Sequence, residues 1–325
     1  MPKSICAFVA AALLIVAAPS FADDSSAALG AGGIVLVKNT PVRMAAEDLY
    51  VGPKAVRIRF TFVNDTDKDV ETIVAFPLPD IDTAEFWGSG IGTVTDNPVN
   101  FVGFKAVVDG KPVPFKVEQR AILKGKDVTA LIASTGAPID PVAGEGYRKL
   151  DKLSSDKRKR LLDAGVAEGD AEEFVPQWLV RTKFYWTQTF PAHKTVVIEH
   201  SYQPVTGQSF FGRDDTKSKS LTNNMDYCFD DATKAKIAAM SDARLKAQVD
   251  NGGYLNAYWT DYILKTANNW NGPIERFHLT LDKLKPENLL SLCWDGELKK
   301  TGPTTFESTL INFAPTRDIH LLVLE

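Results

Sequence analysis

Residues 56–79 read VRIRFTFVNDTDKDVETIVAFPLP, and this stretch decides the fold class. Val56, Ile58, Phe60 and Phe62 alternate with Arg57, Arg59, Thr61 and Val63. A period of two puts one set on an apolar core and the other on the opposite, more polar face of a β-strand. Asn64-Asp65-Thr66-Asp67-Lys68-Asp69 follows, a run of side chains that bond their own backbone in turns. Residues 72–76 predict a second strand, stopped by Pro77-Leu78-Pro79 because proline cannot donate to a ladder.

Outward from there the β pattern repeats. Residues 102–108 and 113–117 flank Asp109-Gly110, the strongest short hairpin signal. Phe184, Trp186, Gln188 and Phe190 share one face; Pro191-Ala192-His193-Lys194 turns the chain; Val196, Ile198, His200 and Tyr202 share the next. Further strands are predicted at 261–266, 274–281, 290–294, 305–313 and 319–324, separated by glycine and proline punctuation. Helical signals are fewer. Asp127 is placed to cap a short helix through Ile132, and Ser154-Ser155-Asp156 to start one that ends at Gly165. A longer helix is predicted over 230–249, stopped by Asn251-Gly252-Gly253. The expected fold is mainly β (α+β): two β-sandwich-like units with a short helical insert and an intervening helix. The first unit is expected over 23–210, with a charged insert at about 137–175, and the second over 211–325.

The N-terminus carries an export pattern. Lys3 precedes an apolar run over 5–18, and Ser20-Phe21-Ala22 presents small residues to a signal peptidase, so cleavage is expected after Ala22. The run is shorter than the roughly 20 residues a spanning helix needs. No later segment is apolar enough to span, so the expectation is a periplasmic protein. A net charge of −4 and a pI of 5.7 give no footprint for nucleic acid. Mean hydropathy of −0.12 with 44% hydrophobic residues is that of a folded globular chain. Of the three cysteines, Cys6 leaves with the leader. Cys228 and Cys293 then most simply form one disulfide; the alternative is a reactive or metal-binding pair, which neither a CxxC spacing nor a nearby histidine supports.

The ordered series from Val56 to Phe76-Pro77-Leu78-Pro79, through Gly103-Phe104 and Asp109-Gly110 to the strand pair around His193 and Tyr202, resembles a vault protein inter-alpha-trypsin (VIT-type) β-sandwich over most of 32–206. The charged insert departs from that pattern. The mature chain as a whole resembles the bacterial exported domain of unknown function 4424 family. The residues that carry it are Asp24-Ser25-Ser26-Ala27, Gly32-Gly33, Glu47-Asp48-Leu49-Tyr50, Asn268-Asn269-Trp270-Asn271-Gly272-Pro273-Ile274 and Asn312-Phe313-Ala314-Pro315. That resemblance implies an envelope location and brings no catalytic residue with it.

Local chemistry is sparse. His193, His200, His278 and His320 show no zinc spacing. Asp65, Asp67 and Asp69 mimic the start of a calcium loop, but Val70 stands where the glycine belongs and Phe76 where the bidentate glutamate belongs. Gly88-Ser89-Gly90 breaks the spacing of a nucleophile elbow. No metal and no cofactor is expected. The basic run Lys157-Arg158-Lys159-Arg160 reads as a solvated helix face rather than an anionic-lipid contact. Two aromatic clusters, Trp178/Phe184/Tyr185/Trp186/Phe190 and Tyr254/Tyr258/Trp259/Tyr262/Trp270, read mainly as core. Tyr258, Trp259 and Trp186 are the candidate groove residues. The expected role is a non-enzymatic interaction or scaffold protein with an envelope protein partner. The alternatives are a small-molecule or glycan binder using an aromatic-lined groove, and a hydrolase with a site assembled across domains.

Overall fold

The structure, a computed structural model, describes residues 25–30, 33–38, 41–87, 91, 94–95, 97–170, 172–218, 227–247 and 252–325. The leader expected over 1–22, the Gly88-Ser89-Gly90 stretch and Asn251 lie outside the described residues.

In chain order the strands are β1 (Ser25–Gly30), β2 (Gly33–Leu36), β3 (Val42–Gly52), β4 (Ala55–Asn64), β5 (Val70–Pro77), β6 (Ile81–Asp82), β7 (Lys105–Val108), β8 (Lys111–Pro112), β9 (Lys116–Leu123) and β10 (Lys126–Asp127). The helical insert holds α1 (Thr129–Thr135), α2 (Gly146–Asp151) and α3 (Ser155–Asp163). Then come β11 (Ala167–Gly169), β12 (Phe174–Pro176), β13 (Leu179–Phe190), β14 (Lys194–Tyr202), β15 (Thr206–Phe211) and the intervening helix α4 (Asp231–Lys246). The chain closes with β16 (Leu255–Tyr262), β17 (Ile274–Asp282), β18 (Leu289–Ser291), β19 (Lys299–Lys300), β20 (Thr305–Phe313) and β21 (Ile319–Leu324).

The alternation read in β4 is the one the fold uses: Val56, Ile58, Phe60 and Phe62 are buried, while Arg57 and Arg59 face solvent. The aspartate-rich turn after it is tied by side chains. Asn64 Oδ1 accepts from the Thr66 backbone N–H, and its amide donates to the Lys68 and Phe190 carbonyls. Asp65 pairs with Arg43, Asp67 with His193, and Asp69 accepts from the Ala192 N–H. These carboxylates therefore lock two hairpin ends together. At the β7–β8 hairpin, Asp109 and Gly110 both have positive φ, 46° and 76°, as a two-residue turn matched to strand twist requires.

Three main sheets result. An eight-stranded sheet runs β19-β20-β17-β3-β4-β14-β7-β8. A seven-stranded sheet runs β10-β9-β13-β5-β1-β2, with β6 also on β13. A four-stranded sheet runs β15-β16-β21-β18. The eight-stranded sheet draws strands from both sides of residue 210, and β17 joins β3 in parallel, Leu279 opposite Leu49. The two long sheets pack face to face through aromatic rings: Phe104 stacks on Phe184 at 4.3 Å, and Phe62 meets Phe190 at 5.6 Å.

The four-stranded sheet is covered on both faces. Tyr262, Ile319, Leu321 and Val323 join the larger core. Leu255, Ala257, Leu322 and Leu324 join a smaller one with Phe211, Tyr227, Phe229 and Ile237 of α4. Burial on both faces is why β21 reads as the apolar run IHLLVL, interrupted only by the half-buried His320.

One expectation needs correction. The strand predicted at 261–266 is displaced: β16 ends at Tyr262, and Lys265–Asn269 forms a 3-10 turn. Asp318 Oδ1 accepts from the backbone N–H groups of both Leu264 and Lys265, which bends the chain out of the sheet. The charged insert contributes to packing as well, because Val142, Leu150 and Leu161 are buried in the larger core, while Lys157, Lys159 and Arg160 of its basic run are exposed. Its helix α3 keeps the predicted bounds, beginning after Ser154 and ending before Gly165, whose φ is +68°.

Candidate binding pocket

Where the two cores meet, the structure leaves a pocket of about 160 Å³. Its apolar lining is Leu78, Ile81, Val102 and Tyr202, all buried, together with Pro204 and Val205. Phe86 and Trp259 add aromatic wall. The Trp259 indole is held by ring contacts with Tyr227 at 5.1 Å and Phe211 at 5.9 Å. On β15 the residue directly opposite Trp259 is Gly207, which also lines the pocket. A Cβ at Gly207 would lie 3.4 Å from the indole Cδ1, so the absent side chain leaves that part of the ring uncovered.

The charged lining is entirely acidic: Asp80, Asp82, Glu85 and Asp261, with no lysine, arginine or histidine. Asp80 is neutralised by a two-pronged pair with Arg181 of β13, at 3.0 and 2.7 Å. Asp82 Oδ1 accepts from the N–H groups of Ala84 and Glu85, forming the turn that carries Glu85. Thr83 fixes the base of that turn, its hydroxyl donating to the Trp178 carbonyl at 2.7 Å. Glu85 itself reaches solvent. Partial desolvation, then the negative neighbours Asp82 and Asp261, hold its carboxyl above the ordinary glutamate value. Asp261 Oδ1 lies 2.8 Å from His320 Nδ1 across the β16–β21 ladder. No serine, threonine or cysteine lines this pocket.

The three candidate groove residues are not brought together. Trp259 lines the pocket. Tyr258, its neighbour on β16, points to the other face, as the period of two demands, and its hydroxyl donates to Glu325 at 3.3 Å. Trp186 is buried in the larger core, edge-on to His200 at 5.6 Å. Sequence reasoning missed Gly207, Asp82, Glu85 and Asp261, which come from three separate segments. Only the turn chemistry at Asp82 had a local signal.

The histidines fall in four settings. His193 pairs with Asp67 at a turn, His200 packs among Phe60, Phe76 and Phe104, His278 bonds Thr309, and His320 bonds Asp261. Among the described residues no group of three or more His, Cys, Asp or Glu is arranged to hold a metal. Cys228 and Cys293 form the expected disulfide, 65 residues apart in sequence. A larger hollow of about 360 Å³ lies on the outer face of the eight-stranded sheet. It is shallow, and several of its charges are engaged: Arg57 lies 3.7 Å over the Tyr50 ring, Arg59 pairs with Glu199, and Asp48 pairs with Arg276.

Among solved structures, a crystal structure of a candidate nutrient-binding protein from Legionella pneumophila subsp. pneumophila str. Philadelphia 1 is similar at a TM-score of 0.45 and 16% identity, covering 88% of this chain and 68% of that one. A likeness of that size says nothing of what this chain binds. No curated protein matches the sequence. Residues 22–322 match the family described as a domain of unknown function (DUF4424). The match spans nearly the whole chain, which therefore belongs to the domain of unknown function 4424 family.

Proposed function

We propose that this protein is an exported, non-catalytic binding protein of the cell envelope that holds a small molecule in the pocket between Trp259 and the β5–β6 connection. The observation that carries this reading is the uncovered Trp259 indole in a half-enclosed cavity with an apolar lining and a carboxylate-bearing mouth. Small-molecule sites are typically concave, mostly apolar and equipped with a few convergent polar groups. Export is supported by the leader pattern at 1–22 and by the Cys228–Cys293 disulfide, a bond that persists in oxidising compartments. No helix among the described residues is long and apolar enough to cross a membrane. The VIT-type likeness belongs to the same reading, supported by the β4–turn–β5 order that ends in Phe76-Pro77-Leu78-Pro79.

The test is a thermal-shift screen of the intact protein against sugars, amino acids, organic acids and amines, run beside a Gly207→Val variant. Valine suits a strand, and its Cβ would meet Trp259 at ordinary contact distance, so the variant fills the pocket while the fold persists. At least one compound is expected to raise Tm in the parent and not in the variant. No G207V-sensitive shift across the panel would sink the reading.

An envelope interaction protein is the second reading, favoured by the exposed Phe210 and Tyr254 rings, 6.5 Å apart near the edge strand β15. In-cell crosslinking that captures a partner through Phe210→benzoylphenylalanine would support it. Recovery of the uncrosslinked chain alone would count against it.

A further inference from the structure

We infer that the pocket selects a small organic cation, a primary or quaternary ammonium carried on an apolar body. The inference rests on the binding reading above and names its ligand class. Its basis is the match between lining and ligand. Among the described residues only Asp80 of the four lining carboxylates has an arginine partner, so Asp82, Glu85 and Asp261 leave the lining negative, with His320 as the nearby titratable group on Asp261. A neutral or anionic guest would leave Glu85 among the like charges of Asp82 and Asp261; a cation offsets them. The same cavity presents an indole, the aromatic ring with the strongest attraction for a cation above its face. Gly207 leaves room beside that ring. The buried Leu78, Ile81, Val102 and Tyr202 supply a surface for the ligand's methyl or methylene groups. Bare metal ions fit poorly, because the carboxylates are not grouped as a coordination set among the described residues.

The deciding experiment compares choline with 3,3-dimethylbutan-1-ol by calorimetry on the intact, oxidised protein. The two probes share a shape and differ only in the charged nitrogen. Choline, or 1,4-diaminobutane as the primary-amine probe, is expected to bind at least about tenfold more tightly than the neutral alcohol. Glu85→Gln, a change at a solvent-reaching side chain, is expected to weaken choline several-fold and to flatten its dependence on salt. Gly207→Val is expected to abolish binding, with Tm confirming that the variant is folded. Equal affinity for choline and the alcohol, both lost in Gly207→Val, would overturn the cation inference and leave the binding pocket standing. Binding of neither amine while sugars or acids bind the pocket would overturn it equally. Choline binding that survives Gly207→Val unchanged would place the cation elsewhere and also overturn it.

Discussion

The larger core is closed from two sides by Phe60, Phe62, Phe76, Phe104 and Trp270, whereas the smaller one has Phe211, Tyr227, Phe229 and Leu255 under a helix that buries only Ile237 and Ser241. In the first, every long strand has neighbours on both edges and rings interlock across two sheets. In the second, one four-stranded sheet meets one Ala- and Lys-rich helix. Apolar burial rises with the size of the unit, so a small core leaves little surplus over the entropy of ordering its chain. The Cys228–Cys293 bond sits in this thin region, with Cys228 beside Tyr227 and Phe229 and its carbonyl accepting from Ser291 Oγ. Covalent closure takes the place of packing where packing is scarce.

Breaking each core should therefore give different signatures. Trp270 is 1% exposed and packs on Phe62 at 4.4 Å and Phe190 at 5.7 Å. Trp270→Ala is expected to cost about 3–5 kcal/mol, read as a lower urea midpoint in one global transition. A loss under about 1 kcal/mol would show that the sheets do not depend on this ring. Replacing both Cys228 and Cys293 by serine removes a closure over 65 residues, with an expected cost of up to about 4 kcal/mol in the chain-entropy view. Hydrogen exchange should rise in α4 and β16 while β4 and β14 stay protected. Uniform deprotection across all four elements would mean that the two cores unfold as one, and would erase the contrast.

The same contrast explains what could be read from residues alone. In the larger core the period of two in β4 and β14, the Asp109-Gly110 turn and the proline stop after β5 are local signals, and each found its place. The start of α3 after Ser154 and the long helix α4 were equally legible, although the bond from the Thr233 N–H to Asp230 that caps α4 was not read from the sequence. Strands β1, β2 and β3 carried no clear alternation in sequence; β3 is defined by pairing with β4 on one side and with β17, more than 200 residues later, on the other. Tyr258 and Trp259 were read as one candidate, although adjacent strand residues must face opposite ways. The pocket escaped because Asp82, Glu85, Gly207 and Asp261 acquire meaning only through sheet order, and a glycine opposite a tryptophan has no signature along the chain.

The insert tests where the larger core ends. Asp140 lies at its start, buried, with Oδ1 accepting from the Val142 and Ala143 N–H groups. Its Oδ2 is buried with no hydrogen-bond partner among the described residues. Burial pushes this carboxyl from its ordinary 3.8 up to about 6, against the two N–H bonds that pull it down. Because the folded-state value is the higher one, the protonated form supports the fold below pH 3.8, and that support is lost as pH rises towards about 6. The gap corresponds to roughly 3 kcal/mol. Asp140→Asn mimics the neutral form and is expected to gain stability on the parent between about pH 4 and 7.5, levelling off above 6. A pH-independent difference between the two urea midpoints would mean that the insert is anchored without this residue.

On the outer face of the same insert the expected effects are smallest. Lys159 and Asp163 are four residues apart on α3, 2.8 Å from each other and 72% and 63% exposed. Water and salt screen such a pair, and ordering two long side chains offsets most of its attraction. Lys159→Ala is expected to cost about 0.3–0.5 kcal/mol at low ionic strength and nothing measurable in 1 M salt. The buried Leu161 two positions on belongs to the larger core, so Leu161→Ala in the same helix should cost about 2–5 kcal/mol. The ratio between these two neighbours measures how sharply the core stops within a single turn of helix. If Lys159→Ala proved as costly as Leu161→Ala, the basic run would be packing or binding something, and its assignment as a solvated face would fall.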